Sequence, residues 1–382
     1  IVSNGQNGST LEISLNANAS AEAVEAVVEN LTYANTSDDP IPSRQFRVQI
    51  SDGDGGTSQP QVVTVNINPT ADAAVPIFGE RQANTETDGY QDESAVTALS
   101  DGTFVIVWTS QSSGTAGDGD NDGVFGQHFD ELGNPLGAEF QVNTETASAQ
   151  NNPQVTATSD GGFVVVWQSA SSGTAGDGSG NAVIARQFDG FAGGGTPTAS
   201  SAEVVVNTNT SSAQDEPDVV ALPDGGFVVV WESQTSGSAG DGSGVGIIGQ
   251  IYDASGAAVG GEFVVNTETA SSQYQPKVTA LSDGGFLVAW TSVTSGDAGD
   301  GDSSGIFAQR YDAVGNAVDR DGTALGAGET GEFQVNVTVE GTQDAPDVAG
   351  LAGGGFILTW ESNGQDGSGE GIYARQFADN GL

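Results

Sequence analysis

The feature that most constrains the fold is a sequence repeat that occurs five times. Every tryptophan of the chain ends an apolar run of the same kind, and the five are spaced 59, 64, 59 and 70 residues apart. These runs read FVIVW, FVVVW, FVVVW, FLVAW and FILTW, and they end at Trp108, Trp167, Trp231, Trp290 and Trp360. A glycine-containing turn precedes each run, as a tight hairpin needs. Self-similarity of this kind predicts an array of repeated structural units.

Each repeat predicts four short strands. In four repeats a strand such as EFQVN comes first and a segment with the pattern Gln-x-x-Pro follows; in all five the Trp-ending run comes next, and a strand such as GVFGQHF is last. Because the Trp-ending run is apolar on both faces, its sheet must be covered on both sides. Blades of a β-propeller meet that demand, since neighbouring blades enclose each four-stranded sheet. A linear stack of sandwich modules also meets it and stays open as an alternative.

The sequence therefore predicts an all-β fold, with a β-propeller-like domain over residues 77–382 and a separate β module over residues 1–73. The five four-stranded repeats are expected at about 79–137, 138–202, 203–261, 262–331 and 332–382. Since each tryptophan ends a buried run, we expect the five indoles in the core rather than on a sugar-stacking surface.

Charge excludes some classes of partner. The chain has 8 Lys and Arg against 51 Asp and Glu, for a formal net charge of −43. Nucleic acid binding requires a basic patch that so few cations cannot form, so no nucleic acid partner is expected. No apolar run approaches the roughly 18 residues of a membrane span, so no membrane insertion is expected. There is no cysteine, which excludes disulfides and thiolate chemistry.

Loops after the Trp-ending runs predict calcium sites. An aspartate follows the tryptophan by ten residues in four repeats and by six in the fifth, and oxygen-bearing side chains then recur mostly at every second position. Such loops can wrap a hard cation that takes six to eight oxygen ligands, as Ca²⁺ does. A polar turn in which aspartate caps its own backbone is the alternative. The predicted ligands are Asp118, Asp120, Asp122, Asp177, Ser179, Asn181, Asp241, Ser243, Asp300, Asp302, Ser304, Asp366, Ser368 and Glu370.

No catalytic residue is predicted from the sequence. The single histidine, His128, lies on a strand where the other repeats have Gln, Ile, Arg and Gln, so it does not read as a catalytic base. Carboxylates are numerous enough to form a glycosidase pair by chance. No repeat is expected to depart from the others by an unusual acid, and a propeller active site needs such asymmetry. The prediction is that the chain is not an enzyme.

Two stretches resemble a known class of protein. The segment LEISLNANAS through VVTVNINP looks like the end of a cadherin-like tandem module, and the repeats FxVNT…DGGFVVVW…GIF.QRYD resemble those of large RTX-type calcium-binding secreted proteins of Gram-negative bacteria. The resemblance implies a partial cadherin-like or Ig-like β-sandwich at residues 1–73. It further implies an extracellular or cell-surface adhesin segment that binds calcium and a surface or matrix glycan or protein. A glycan-binding or hydrolytic β-propeller is the alternative function, and a purely structural spacer is a third.

Overall fold

The chain forms two compact units, Ile1–Ile77 and Phe78–Leu382. The structure is a computed structural model, and it describes residues 3–4, 11–13, 20, 22, 27, 43–50, 56–66, 79–111, 122–170, 180–191, 195–234, 244–269, 271–293 and 303–379. In this described part, no helix has the length and apolar character that crossing a bilayer requires.

The first unit contains two antiparallel strand pairs in its described residues. Strand β1 pairs with β2, and β3 pairs with β4; their bounds are β1 Ser3–Asn4, β2 Leu11–Glu12, β3 Ser43–Val48 and β4 Gln61–Asn66. These pairs establish β structure in this unit. They do not show the cadherin-like sandwich predicted for residues 1–73.

The second unit consists of five antiparallel sheets, which we call blades 1 to 5. Blade 1 contains β5 Tyr90–Ala98, β6 Phe104–Gln111, β7 Gly123–Phe129 and β8 Pro135–Gln141. Blade 2 contains β9 Gln150–Ala157, β10 Phe163–Ser169, β11 Ala182–Phe188 and β12 Val204–Val205. Blade 3 contains β13 Gln214–Ala221, β14 Phe227–Ser233, β15 Gly246–Tyr252 and β16 Ala258–Val264. Blade 4 contains β17 Ser272–Ala280, β18 Phe286–Val293, β19 Gly305–Tyr311, β20 Ala317–Val318 and β21 Phe333–Gln334. Blade 5 contains β22 Gln343–Gly350, β23 Phe356–Asn363 and β24 Glu370–Phe377.

Consecutive blades pack face to face in a β-propeller-like arrangement. The first strands of successive blades contact each other in the order β5, β9, β13, β17 and β22, so they form the inner side of the array. Four apolar clusters fill the four seams between neighbouring blades. All five tryptophans are at most 6% exposed, which confirms the prediction that they belong to the core.

The sheets are offset from the sequence repeats by one strand. The EFQVN-type strand was expected to open its own repeat, yet β8 pairs with β7 and therefore completes the preceding sheet. A tight turn is the reason: the Asp130 N–H donates to the Asn134 carbonyl over 2.9 Å, and Gly133 adopts φ 73°. Such a turn returns the chain antiparallel to the strand it has just left. Blade 5 correspondingly has three strands in the described residues.

The second glycine of the Asp-Gly-Gly turns is required by close approach to the backbone. A Cβ on Gly226 would lie 2.3 Å from the Tyr252 carbonyl oxygen. We expect Gly226→Ala to lower the free energy of unfolding by about 1–3 kcal/mol, the usual cost of overpacking. Gly261→Ala is the matched control, since nothing lies within 4 Å of the position that its methyl group would take. Equal denaturation midpoints for the two variants would contradict the packing explanation.

Candidate acidic site

Six of the predicted calcium ligands lie in the described part of the chain. They are Asp122, Asn181, Ser304, Asp366, Ser368 and Glu370, whereas Asp118, Asp120, Asp177, Ser179, Asp241, Ser243, Asp300 and Asp302 lie outside the described residues. In the fifth repeat, Asp366 Oδ1 accepts the Ser368 N–H over 3.0 Å, which is the geometry of a self-capping turn. No group of three or more His, Asp or Glu among the described residues is placed to hold a metal ion. The calcium sites stay a prediction.

A strained residue recurs on the inner strand of every blade. The third residue of the Gln-x-x-Pro pattern, which reads Gln-x-x-Ser in blade 1, has a left-handed backbone, although none of the five is glycine; the residues and φ angles are Glu93 51°, Asn152 57°, Glu216 48°, Gln275 55° and Ala345 48°. The pairing register shifts at each of these positions, which identifies them as β-bulges. Bulges re-aim side chains, and strained backbone of this kind clusters at functional sites.

The bulges are joined from blade to blade by hydrogen bonds. The bulge N–H of one blade donates to a side chain of the preceding blade: Asn152 N to Glu93 Oε2 over 2.6 Å, and Ala345 N to Gln275 Oε1 over 2.9 Å. In these two cases the acceptor is the preceding bulge residue itself. A threonine directly after the tryptophan supports each one, because Thr109 and Thr291 donate to Glu93 and Gln275 over 2.9 and 3.2 Å.

In blades 2 and 3, a different residue accepts the same hydrogen bond. The residue after the tryptophan is long there, and it replaces the bulge residue as acceptor. Gln168 Oε1 accepts the Glu216 N–H over 3.4 Å, and Glu232 Oε1 accepts the Gln275 N–H over 2.7 Å. The bulge side chain of blade 3, Glu216, is therefore not needed for the link between blades 3 and 4.

Blade 3 is the only blade with an acid at both positions. The bulge residues of the other blades are Glu93, Asn152, Gln275 and Ala345, and the residues after their tryptophans are Thr109, Gln168, Thr291 and Glu361. Glu216 is exposed, while Glu232 is 7% exposed. Burial raises the pKa of Glu232 to about 7 against the opposing effect of the Gln275 N–H, and the nearby charges of Glu216 and Asp215 add to the rise.

This pair of acids opens onto a cavity of about 510 Å³ shared by blades 3, 4 and 5. Its lining residues are Glu216, Glu232, Tyr274, Gln275, Thr291, Val293, Ser303, Ser304, Thr342 and Asp344. The volume falls in the range of small-molecule sites. Burial and the charge of Glu370 raise the pKa of Asp344. Ser304 is 4% exposed, and its Oγ has no hydrogen-bond partner among the described residues.

The acidic pair contradicts the expectation that no repeat departs from the others by an unusual acid. The sequence contains this difference at two positions of the repeat, the bulge residue and the residue after the tryptophan. It becomes visible only when both positions are compared together across the five repeats. His128, which the sequence did not favour as a base, is buried beside Thr103, with 2.8 Å between Nε2 and the threonine Oγ1. Its ring stacks on Phe191, and burial lowers its pKa.

Among the comparisons with known proteins, the one with solved structures finds matches to this chain. No family profile and no curated protein matches the sequence. The Penicillium chrysogenum α-L-arabinanase complexed with arabinobiose is 13% identical, with a TM-score of 0.46, over 75% of this chain and 80% of that one. A Hadza microbial sialidase is 10% identical, with a TM-score of 0.47, over 84% of this chain and 63% of that one. A thermostable family-43 glycoside hydrolase is 9% identical, with a TM-score of 0.41, over 79% and 95%. At these identities the likeness concerns the fold alone.

Two predictions are corrected by these findings. The solved structures named above are glycoside hydrolase-like β-propellers, and the assignment to an RTX-type, cadherin-like calcium-binding adhesin is therefore wrong. The prediction that the chain is not an enzyme is wrong on the same finding. The adhesin assignment rested on the resemblance of the repeats and of the segment LEISLNANAS through VVTVNINP, and on the acidic loops. Of the repeat features, the strand pattern, the Asp-Gly-Gly turn and the buried tryptophan follow from the blade architecture. Those features specify packing and carry no information about the site.

Proposed function

We propose that the second unit is a glycan-processing β-propeller that cleaves glycosidic bonds in the cavity between blades 3, 4 and 5. The single observation that carries the proposal is the acidic pair of blade 3, in which Glu232 is buried with a raised pKa and Glu216 is exposed. Glycoside hydrolysis generally uses two carboxyl groups, one protonated and one ionised. Environments that push two pKa values apart create that division of roles.

Glu232 would be the proton donor. With its pKa at about 7, this carboxyl group keeps its proton at slightly acidic pH. Its Oε1 accepts the Gln275 N–H, which leaves Oε2 to carry the proton. That proton passes to the glycosidic oxygen as the bond to the anomeric carbon breaks. Glu216 supplies the second carboxylate, which either takes a proton from the attacking water or attacks the anomeric carbon itself.

Glycan binding without cleavage is the second candidate. It is favoured by the structural use of Glu232, which joins blades 3 and 4 through the Gln275 N–H. The two candidates share the cavity and differ in whether the acidic pair performs chemistry. An extracellular location, predicted from the sequence, agrees with a polysaccharide substrate and stays a prediction.

Turnover and its pH dependence test the proposal. The full chain is incubated with arabinan, xylan, levan and galactan, and released reducing ends are measured between pH 4 and 9. We expect turnover with an alkaline limb near pH 7, because Glu232 loses its donor proton there. Release of no reducing ends from any substrate across this range would rule out hydrolysis and leave glycan binding.

A further inference from the structure

We infer that the cavity between blades 3, 4 and 5 accepts an uncharged, hydroxyl-rich glycosyl unit and excludes sugars that carry a carboxylate. The inference rests on the proposed function and adds the substrate class. It follows from two properties of the lining: the sign of its charges, and a buried hydroxyl group, Ser304 Oγ, that has no hydrogen-bond partner among the described residues.

The charged residues that line the cavity in the described part of the chain are all acidic. Glu216, Glu232 and Asp344 line it, and no Lys or Arg is among the described residues that do. Two further carboxylates lie close enough to this lining to add to its negative charge, since the charge of Asp215 raises the pKa of Glu232 and that of Glu370 raises the pKa of Asp344. A ligand carboxylate entering the cavity would meet uncompensated like charge, which costs free energy in a partly dehydrated site.

Three of the arginines that the structure describes have partners outside this cavity. Arg186 and Arg375 donate to the carbonyls of Val142 and Val335, and Arg310 forms an ion pair with Asp283 at 2.7 Å. Lys277 is the only lysine of the chain, and its charge opposes the rise in pKa that burial causes at Asp218 of the neighbouring inner strand. Recognition of a sugar carboxylate normally uses an arginine fork, and none faces the cavity in the described part of the chain.

The same lining suits neutral sugars. Carboxylates accept hydrogen bonds from sugar hydroxyls, and a hydroxyl both donates and accepts. Ser304 Oγ is buried and unpartnered in the described structure, so a ligand hydroxyl there would satisfy a group that is otherwise left without a hydrogen bond. Tyr274, which is half-buried in the lining, offers an aromatic surface for the apolar face of a sugar ring.

Asp344 is the lining carboxylate best suited to a substitution test. It occupies the second position of the Gln-x-x-Pro pattern, where blade 2 has Asn151, so Asp344→Asn has a precedent within the same fold. Asp344 is not one of the two acids assigned to the chemistry. Removing its charge should raise the affinity for anionic ligands by a larger factor than it changes the affinity for neutral ones.

The experiment measures binding separately from turnover. The full chain carrying Glu232→Gln, alone and with Asp344→Asn, is titrated at pH 8 with arabinotetraose, xylotetraose and galactotetraose, and with tetragalacturonate. We expect at least one neutral probe to bind on the order of tenfold more tightly than tetragalacturonate at low salt, with the gap narrowing as salt screens the repulsion. Asp344→Asn should narrow the gap roughly threefold or more.

The outcomes separate the two claims. Tetragalacturonate binding as tightly as the neutral probes, or failure of all four probes to bind, overturns the inference. If Asp344→Asn leaves the difference in affinity between the neutral probes and tetragalacturonate unchanged, the inference is also overturned. The charge of the lining would then not be the cause of that difference. Absence of turnover by the unsubstituted chain overturns the proposed hydrolysis alone, since the preference in binding is measured without it.

Discussion

Glu232→Gln should reduce kcat/KM on the best polysaccharide substrate by about a hundredfold to ten-thousandfold, the usual contribution of a general acid. The amide cannot donate the proton that the leaving-group oxygen needs. The variant should still fold, because Gln168 occupies the same position in blade 2 and accepts the equivalent bulge N–H through its Oε1. Loss of turnover with an unchanged structure would therefore assign chemistry to the carboxyl group and not to the blade link.

Two companion variants make this measurement decisive. Glu131→Gln alters an exposed residue in the Asp130–Asn134 turn of blade 1, outside the lining of the cavity, and should leave kcat/KM within about twofold, since surface substitutions away from a site have small effects. Glu216→Gln, which copies the bulge residue of blade 4, should lower kcat/KM by a factor comparable to that of Glu232→Gln. Retention of full activity by Glu232→Gln would exclude its role as proton donor.

Stability should depend on pH through the same residue. The pKa of Glu232 is about 7 in the folded chain, against an ordinary value of 4.5. Above pH 4.5 the unfolded chain releases this proton while the folded chain retains it, so the free energy of unfolding falls as pH rises to about 7 and then levels off. We expect a decrease of about 3 kcal/mol from this group.

Chemical denaturation at pH 4.5 and pH 8 measures this effect. Relative to the unsubstituted chain, Glu232→Gln should gain about 3 kcal/mol in unfolding free energy between the two pH values, because glutamine does not titrate. The exposed substitution Glu131→Gln is again the control and should follow the unsubstituted chain. Parallel pH dependences for the unsubstituted chain and Glu232→Gln would show that burial does not perturb this carboxyl group in the folded state.

The β-propeller-like architecture could be predicted well from the sequence, because each sequence repeat has the same pattern of buried residues and packs in the same way. The tryptophan-ending runs specify strands that are apolar on both faces, and the structure places all five tryptophans in the core. The position of the EFQVN-type strands was wrong, because pattern alone does not show to which sheet an edge strand belongs. The short turn at Asp130–Asn134 decides that question, and its geometry is local.

The candidate site was missed for a different reason. Glu216 and Glu232 are 16 residues apart in the sequence and lie on adjacent strands of blade 3, while Asp344 arrives from blade 5. Reading each repeat as a copy of the others hides the one copy that differs. The perturbed pKa of Glu232 depends on burial, which no single strand specifies.

In blades 2 and 3, where the residue after the tryptophan accepts the hydrogen bond, the bulge side chain is not needed for the link to the next blade. Either the bulge residue or the residue after the tryptophan suffices to hold the next blade, as Gln275 and Gln168 show in turn. One of these two residues can therefore be substituted without loss of the hydrogen bond that joins neighbouring blades. This redundancy permits a duplicated structural unit to acquire a reactive group in a single copy, and blade 3 is where the spare position became acidic.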